Sequence, residues 1–337
     1  MKKLFILFIL CSLIVEDSFS QFRYDYGVRL GAANYLGDIG GKGLPRRDFV
    51  VDMHMPSTRW AVGGFIRKRK NKRIAYSATL DYLRIQDTDQ LSTYFPRRAR
   101  NLEFKNDMLE LSGRLEYTLY YDSDLSNQGY FNPDMKIYVF SGVAGLYTNP
   151  KGYINQYAAD YIGSATGNPA ANYYDTWISL RKYKTEGQDN SYSPFAVSIP
   201  MGIGMYFTYQ KKWRVGWEYN WRLTFTDYLD DISKEYPTKE RIRETAGEID
   251  APIVTGYVFH SYDEEYIDSP MNVENIPAAN FWYQNSPRGN PLNNDNYMTF
   301  QVYVSKVIRS KSNFYKSKYN WMRGRSGGGV KRANVRF

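Results

Sequence analysis

The segment WRVGWEYNWRLTF sets Trp213, Val215, Trp217, Tyr219, Trp221, Leu223 and Phe225 on one face and Arg214, Gly216, Glu218, Asn220, Arg222 and Thr224 on the other. This period-two alternation is sustained over thirteen residues, whereas a soluble strand usually runs about five or six. A sheet in water has little use for a tryptophan stripe opposite charge and glycine. A strand with lipid outside and a polar lumen inside requires that pattern.

The same signature recurs along the chain. In MLELSGRLEYTLYY, Leu109, Leu111, Leu115, Tyr117 and Leu119 alternate with Glu110, Ser112, Arg114, Glu116 and Thr118. In AVSIPMGIGMYFTY, Val197, Ile199, Met201, Ile203, Met205 and Phe207 alternate with small or polar residues, and Pro200 is expected to mark a local bulge. Segments 24–35, 60–67, 74–85 and 298–308 follow the rule with lapses, and 135–149 is apolar on both faces. The spacing predicts an all-β fold, an eight-stranded antiparallel up-and-down transmembrane β-barrel. Long connections at 36–59, 86–107, 150–195 and 226–297 alternate with short ones at 68–73, 122–134 and 210–212. Outer-membrane barrels have short periplasmic turns and long outer loops, so both termini are expected in the periplasm.

The ends of the chain fit export. Lys2 and Lys3 precede an apolar run from Leu4 to Val15, and Ser18-Phe19-Ser20 resembles a cleavage site before Gln21. The expected organisation is a signal peptide at 1–20, a barrel at 21–308 and a basic periplasmic tail at 309–337. Past the expected cleavage site there is no cysteine, which excludes a disulfide framework. Only His54 and His260 are available for imidazole chemistry, which disfavours zinc sites and most acid–base catalysis. The 32 tyrosines, 18 phenylalanines and 7 tryptophans favour strands over helices.

Charge divides between the two ends. Residues 309–337 hold nine Lys or Arg and no acid, equal to the whole net charge of +9, and RKRKNKR at 67–73 falls on the same side. The last long connection, 229–297, carries thirteen acids against five bases. On the lumen faces, Asp25, Asp81, Glu110, Glu116 and Glu218 accompany Arg29, Arg67, Arg114, Arg214 and Arg222. An eight-stranded barrel is just wide enough for its own side chains. Balanced charges in that space are expected to form an ion-pair network rather than a conduction path.

Four strings resemble the PorG family: YLGDIGG at 35–41, VFSGVAGLYTNPKG at 139–152, TEGQDNSYSPFAVSIPMGIG at 185–204 and WEYNWRLTFTDYLDDISKEY at 217–236. These are outer-membrane barrels of the type IX secretion system of Bacteroidetes, and the similarity spans residues 22 to about 308. The resemblance implies a non-pore barrel associated with a periplasmic ring formed by a lipoprotein and its partner. It also implies a role in protein secretion coupled to gliding motility.

Other readings are weaker. His260, Ser261 and Asp263 lie in one loop and are expected to be surface polar residues rather than a triad, so no enzyme activity is expected. Asp230-Asp231 and Asp263-Glu264-Glu265 offer calcium ligands or a solvated acidic surface. The glycines of GIGM lie mid-strand and cradle no phosphate. No cofactor and no nucleic-acid partner are expected; the remaining partner is outer-membrane lipid. The alternative function is an outer-membrane enzyme or ligand-binding surface barrel that uses the long loops. For the tail, Lys316, Lys318, Tyr319, Trp321, Arg323, Arg325, Lys331 and Arg332 combine charge with aromatics, as binding hot spots do. They suggest a docking arm, against the simpler reading of a solvated tail drawn to anionic headgroups.

Overall fold

A computed structural model describes residues 24–40, 55–92, 95–122, 134–210, 212–261, 287–291 and 293–308. Eight antiparallel strands close into a barrel: β1 (Tyr24–Leu36), β2 (Arg59–Arg69), β3 (Ile74–Thr88), β4 (Glu103–Asp122), β5 (Asp134–Tyr147), β8 (Phe195–Tyr209), β9 (Trp213–Thr224) and β10 (Asn296–Ile308). Each strand pairs with its neighbours in sequence around the ring, and β1 with β10 completes the closure. A short antiparallel pair, β6 (Pro150–Ile154) and β7 (Thr176–Ser179), joined through a helical connection, continues the wall above β5 along the upper part of β4. Tyr24 is paired with Ile308, so the first and last strands begin and end at one rim, here the terminus end. The turn at 70–73 and the end of β8 at Tyr209 share that rim, and the described residues 37–40, 55–58, 89–92, 95–102, 148–194, 225–261, 287–291 and 293–295 belong to connections that join the strands at the opposite, loop end.

Alternation decides which side chains face out. Val28, Leu30, Ile66, Leu111 and Val143 are each more than 60% exposed, although all are aliphatic. Such exposure is costly in water and required in lipid. Aromatic pairs edge this band at the loop end, with Trp60 against Tyr82 and Tyr147 against Phe195. Together these features are the architecture of an outer-membrane barrel.

Several expected details differ. The break placed at 86–107 is shorter, because β3 and β4 run on to Thr88 and back to Glu103. Beyond the lipid-facing band the alternation changes phase. Arg84, Gln86, Lys105 and Asp107 now face out, while Leu83, Ile85, Phe104 and Met108 are buried. A rule looking for apolar residues outside loses the strand where water replaces lipid. Pro200 makes no bulge: it stays in register with Arg222, and the β5–β8 pairing omits Gly142 and Val143 beside it. The register shift lies instead between Thr118 and Tyr120. The apolar inner face of β5 fills the lumen with the rings of Tyr138 and Phe140. Opposite them stand Gly204 and Gly202, where any Cβ would collide with those rings.

The main apolar cluster sits at the loop end. Ala33, Tyr35, Leu83, Ile85, Phe104 and Met108 from the strands pack against Ile39, Leu229, Ile232 and Tyr257 from the connections. Two helices cover it, α1 (Gln156–Thr166) and α2 (Lys239–Phe259). Asn155 caps α1 through Ala158 N–H, and Thr238 caps α2 through Arg241 N–H. The longer helix is broken at Gly247, whose φ of 82° lies in the left-handed region. Among the described residues no helix is long and apolar enough to cross a membrane.

Candidate functional site

Inward positions bring all ten predicted lumen charges together, and all are buried. Glu218 on β9 is the hub. It accepts from Arg114 at 2.8 Å, Arg29 at 3.2 Å, Arg67 at 3.4 Å and the Tyr138 hydroxyl at 2.6 Å. Arg29 also forks onto Asp81. Arg67 is 2.7 Å from Glu116 and 3.3 Å from Asp25, and Arg214 is 2.5 Å from Asp25. The rings of Phe65, Tyr138, Tyr206 and Tyr303 surround the Arg67 guanidinium at 5.0–5.5 Å. Nearer the loop end, Arg222 donates to Glu110 at 2.9 Å, and Glu110 also accepts from the Tyr297 hydroxyl at 2.5 Å. Opposite charges at such distances in a water-poor space offset one another's desolvation, and aromatic faces cover what remains. A lumen filled this way is a plug.

Two inward cations were missed. Arg69 follows Arg67 by one alternation step, and Lys136 precedes Tyr138 by one. The period-two rule already pointed both into the terminus-end mouth. β2 runs one alternation step past its predicted end at Arg67, and β5 is apolar on both faces, so neither cation stands among the ten predicted charges.

Over the loop end, described residues of three of the four PorG-like strings converge with residues 287–291 and 293–295 into one cap. Asp230 accepts from Ile39 N–H at 3.2 Å and Ile232 N–H at 2.9 Å. Asp295 accepts from the Tyr35 hydroxyl at 2.7 Å and Leu229 N–H at 3.0 Å. Arg288 donates to the Asp231 carbonyl at 2.8 Å and Thr185 Oγ1 at 3.0 Å, while Glu186 receives Ser233 and Lys234 N–H. Arg100 clamps Asp89 at 2.7 Å and reaches the Asp38 carbonyl at 2.9 Å. These carboxylates bridge connections that are distant in sequence.

The solvated acidic surface expected at Asp230-Asp231 is therefore incorrect, since both side chains are fully buried. Burial, reinforced by Asp38, raises the Asp230 carboxyl well above the usual range, and burial with Asp230 nearby does the same to Asp295. Asp231 is raised to about 6 by burial, against the opposing pull of Arg288. Among the described residues no group of three His, Cys, Asp or Glu is arranged to hold a metal. His260 and Ser261 are not plain surface residues either. The His260 ring stacks on Tyr161 at 3.7 Å, with its pKa lowered by burial and then by Lys239. Ser261 Oγ donates to the Tyr257 carbonyl, closing the end of α2. Asp263, Glu264, Glu265, His54 and the whole tail, including Lys316, Lys318, Tyr319, Trp321, Arg323, Arg325, Lys331 and Arg332, lie outside the described residues.

Residues 2–167 match the model of a domain of unknown function, DUF6089. No curated protein matches the sequence. Among solved structures, the chain is similar to Ail, the attachment invasion locus protein of Yersinia pestis, at 7% identity over 85% of this chain and 99% of that one, with a TM-score of 0.33. It is similar to Neisserial surface protein A at 8% identity over 85% and 97%, TM-score 0.33. For the outer membrane protein OprG from Pseudomonas aeruginosa the values are 8%, 86% and 99%, with a TM-score of 0.34. The closed strand pairing by itself defines the fold.

Proposed function

We propose that this chain is a non-conducting, non-enzymatic barrel of the outer membrane that anchors a periplasmic protein-secretion assembly of the type IX kind. The filled lumen is the observation that carries this reading. A barrel plugged by its own ion pairs and covered by its own loops has its wall, rims and terminal segment left for partners. Short turns at the terminus end support a periplasmic position for both termini. The type IX assignment is supported by the PorG-like strings, three of which meet in the cap.

In this reading the basic, aromatic segment 309–337 is the arm that docks on the ring lipoprotein and its partner. The test is recovery of the ring with the barrel from detergent-solubilised membranes. Deletion after Ile308 is expected to leave a heat-modifiable, inserted barrel and to lower ring recovery. Neutralising Lys316, Lys318, Arg323 and Arg325 is expected to weaken recovery in a salt-dependent way, and Trp321→Ala with little salt dependence. Wild-type recovery by the truncated barrel would end the docking-arm reading. One feature favours the alternative of a ligand-binding surface barrel: an open cleft of about 870 Å³ on the cap, lined in part by Glu186, Lys234, Tyr236, Pro237, Arg241 and Pro287. Secretion that survives loss of the tail but fails on filling this cleft would favour it.

A further inference from the structure

We infer that the outer wall of β1, β2, β8, β9 and β10 at the terminus end is a binding row for anionic glycerophospholipid, with Lys68 and Lys306 taking the headgroup phosphates. The inference rests on the membrane-barrel reading above. Register sets the row. Lys68 is paired with Tyr24, Tyr26 with Lys306, Lys306 with Trp213, and Trp213 with Tyr209. All six side chains are exposed on the outside of the wall. The Lys68 ammonium lies 5.9 Å from the Tyr24 ring centre, and that of Lys306 lies 5.9 Å from the Trp213 ring centre.

Among the described residues, neither lysine has a carboxylate within ion-pair distance. The loop end treats its outward cations differently. There Arg84 is matched by Asp107 at 2.6 Å, and Lys105 lies 3.8 Å from the Trp177 ring between Glu103 and Asp107 on the same face. The wall therefore supplies its own counter-charge at one rim and leaves it to the surroundings at the other.

Position says what the surroundings are. One outward step into the wall from the lysines stand Ile66 and Val304, both exposed aliphatics of the lipid-facing band. Along β2, the eight steps from Lys68 to Trp60 span roughly 20 Å of height at about 3.3 Å per residue and about 40° of tilt, close to the ~25 Å apolar band of such barrels. The row thus falls at headgroup level, where Tyr and Trp anchor and lysine stems lie along apolar surface while the ammonium reaches out. A soluble acidic protein would have to enter the headgroup layer to reach these two ammonium groups. A lipid phosphate is already there.

The test uses the full chain folded into vesicles of phosphatidylcholine alone and of phosphatidylcholine mixed with equal phosphatidylglycerol and phosphatidylethanolamine. Insertion is read by heat-modifiable migration, and retained lipid by native mass spectrometry after gentle extraction. Wild type is expected to retain phosphatidylglycerol over phosphatidylethanolamine. Lys68→Gln with Lys306→Gln is expected to lower that preference about fivefold per lysine, Lys68→Arg with Lys306→Arg to keep it, and Lys70→Gln with Lys72→Gln in the adjacent turn to change it little. Equal retention by wild type and the Lys68/Lys306 glutamine variant, both inserted, would overturn the lipid row while leaving the membrane barrel standing. Absence of any preference together with loss of an acidic periplasmic protein from the same variant would overturn it in favour of a protein site. Failure of wild type to insert into either vesicle would overturn the membrane reading and the row with it.

Discussion

Glu218 shows how much one inward carboxylate can hold. It lies 104 residues from Arg114 and 189 from Arg29, and both guanidiniums, with that of Arg67, converge on its two oxygens. Glu218→Ala leaves three buried cations short of a partner and is expected to cost about 3–5 kcal/mol, the range for breaking a buried pair. Urea unfolding of vesicle-inserted protein measures this loss. Asp107→Ala, which removes the partly exposed partner of Arg84, is expected to cost about 1 kcal/mol or less. On the outer face the physics reverses. Leu115 is half exposed to what the fold makes lipid. Leu115→Arg is expected to cost about 2–4 kcal/mol if it lies near the midplane, falling toward the rims, as read from the same unfolding assay. Equal tolerance of the two faces would contradict the inside–outside assignment.

At the scale of elements, the loop-end cap differs from the strands beneath it. The strands are held by a closed hydrogen-bond ladder, whereas the segment 226–236 is held by carboxylates accepting backbone N–H groups and by Arg288. The Asp231 pKa, raised to about 6 from an ordinary 3.8, gives the pH dependence its sign. The folded cap binds more protons than the opened one between those values. Stability linked to Asp231 is therefore complete below about pH 3.8 and lost as pH rises through about 6, a difference of about 3 kcal/mol. Asp230 and Asp295 act in the same direction. Hydrogen exchange at 226–236, corrected for intrinsic rates, is expected to report a cap that opens more readily at pH 7 than at pH 5. Asp231→Asn is expected to flatten that dependence, and an unchanged profile would show that Asp231 is not the controlling group.

For the molecule as a whole, the lumen has an aromatic level around Arg67, an ionic level around Glu218 and an apolar level that merges with the cap. Buried side chains of the described residues occupy all three levels, so planar bilayers holding the purified protein are expected to show no stable large conductance. Steady openings of porin size would contradict the plugged lumen.

Much of this architecture is legible locally. Lipid outside and polar lumen inside impose a two-residue period, so Trp213 to Phe225 declares its two faces without knowledge of any partner strand. The same rule points all ten lumen charges inward. It fails where the solvent changes: above the lipid band the outward residues become Arg84, Lys105 and Asp107, and the alternation continues in the opposite phase. It is also silent on which charges meet, because the closure of the ring, and not sequence spacing, sets Glu218 against arginines from β1, β2 and β4. Asp230 and Asp231 read as surface acids in a loop rich in acids. Only the convergence of residues 35–40, 185–186, 226–236, 287–291 and 293–295 over the barrel mouth buries them. The amino-acid sequence by itself determined the strands and their faces, because these depend on what each residue touches within two positions of itself. The tertiary structure alone decided the hub, the cap and the carboxylates held away from water, because those depend on chain segments brought together from far apart.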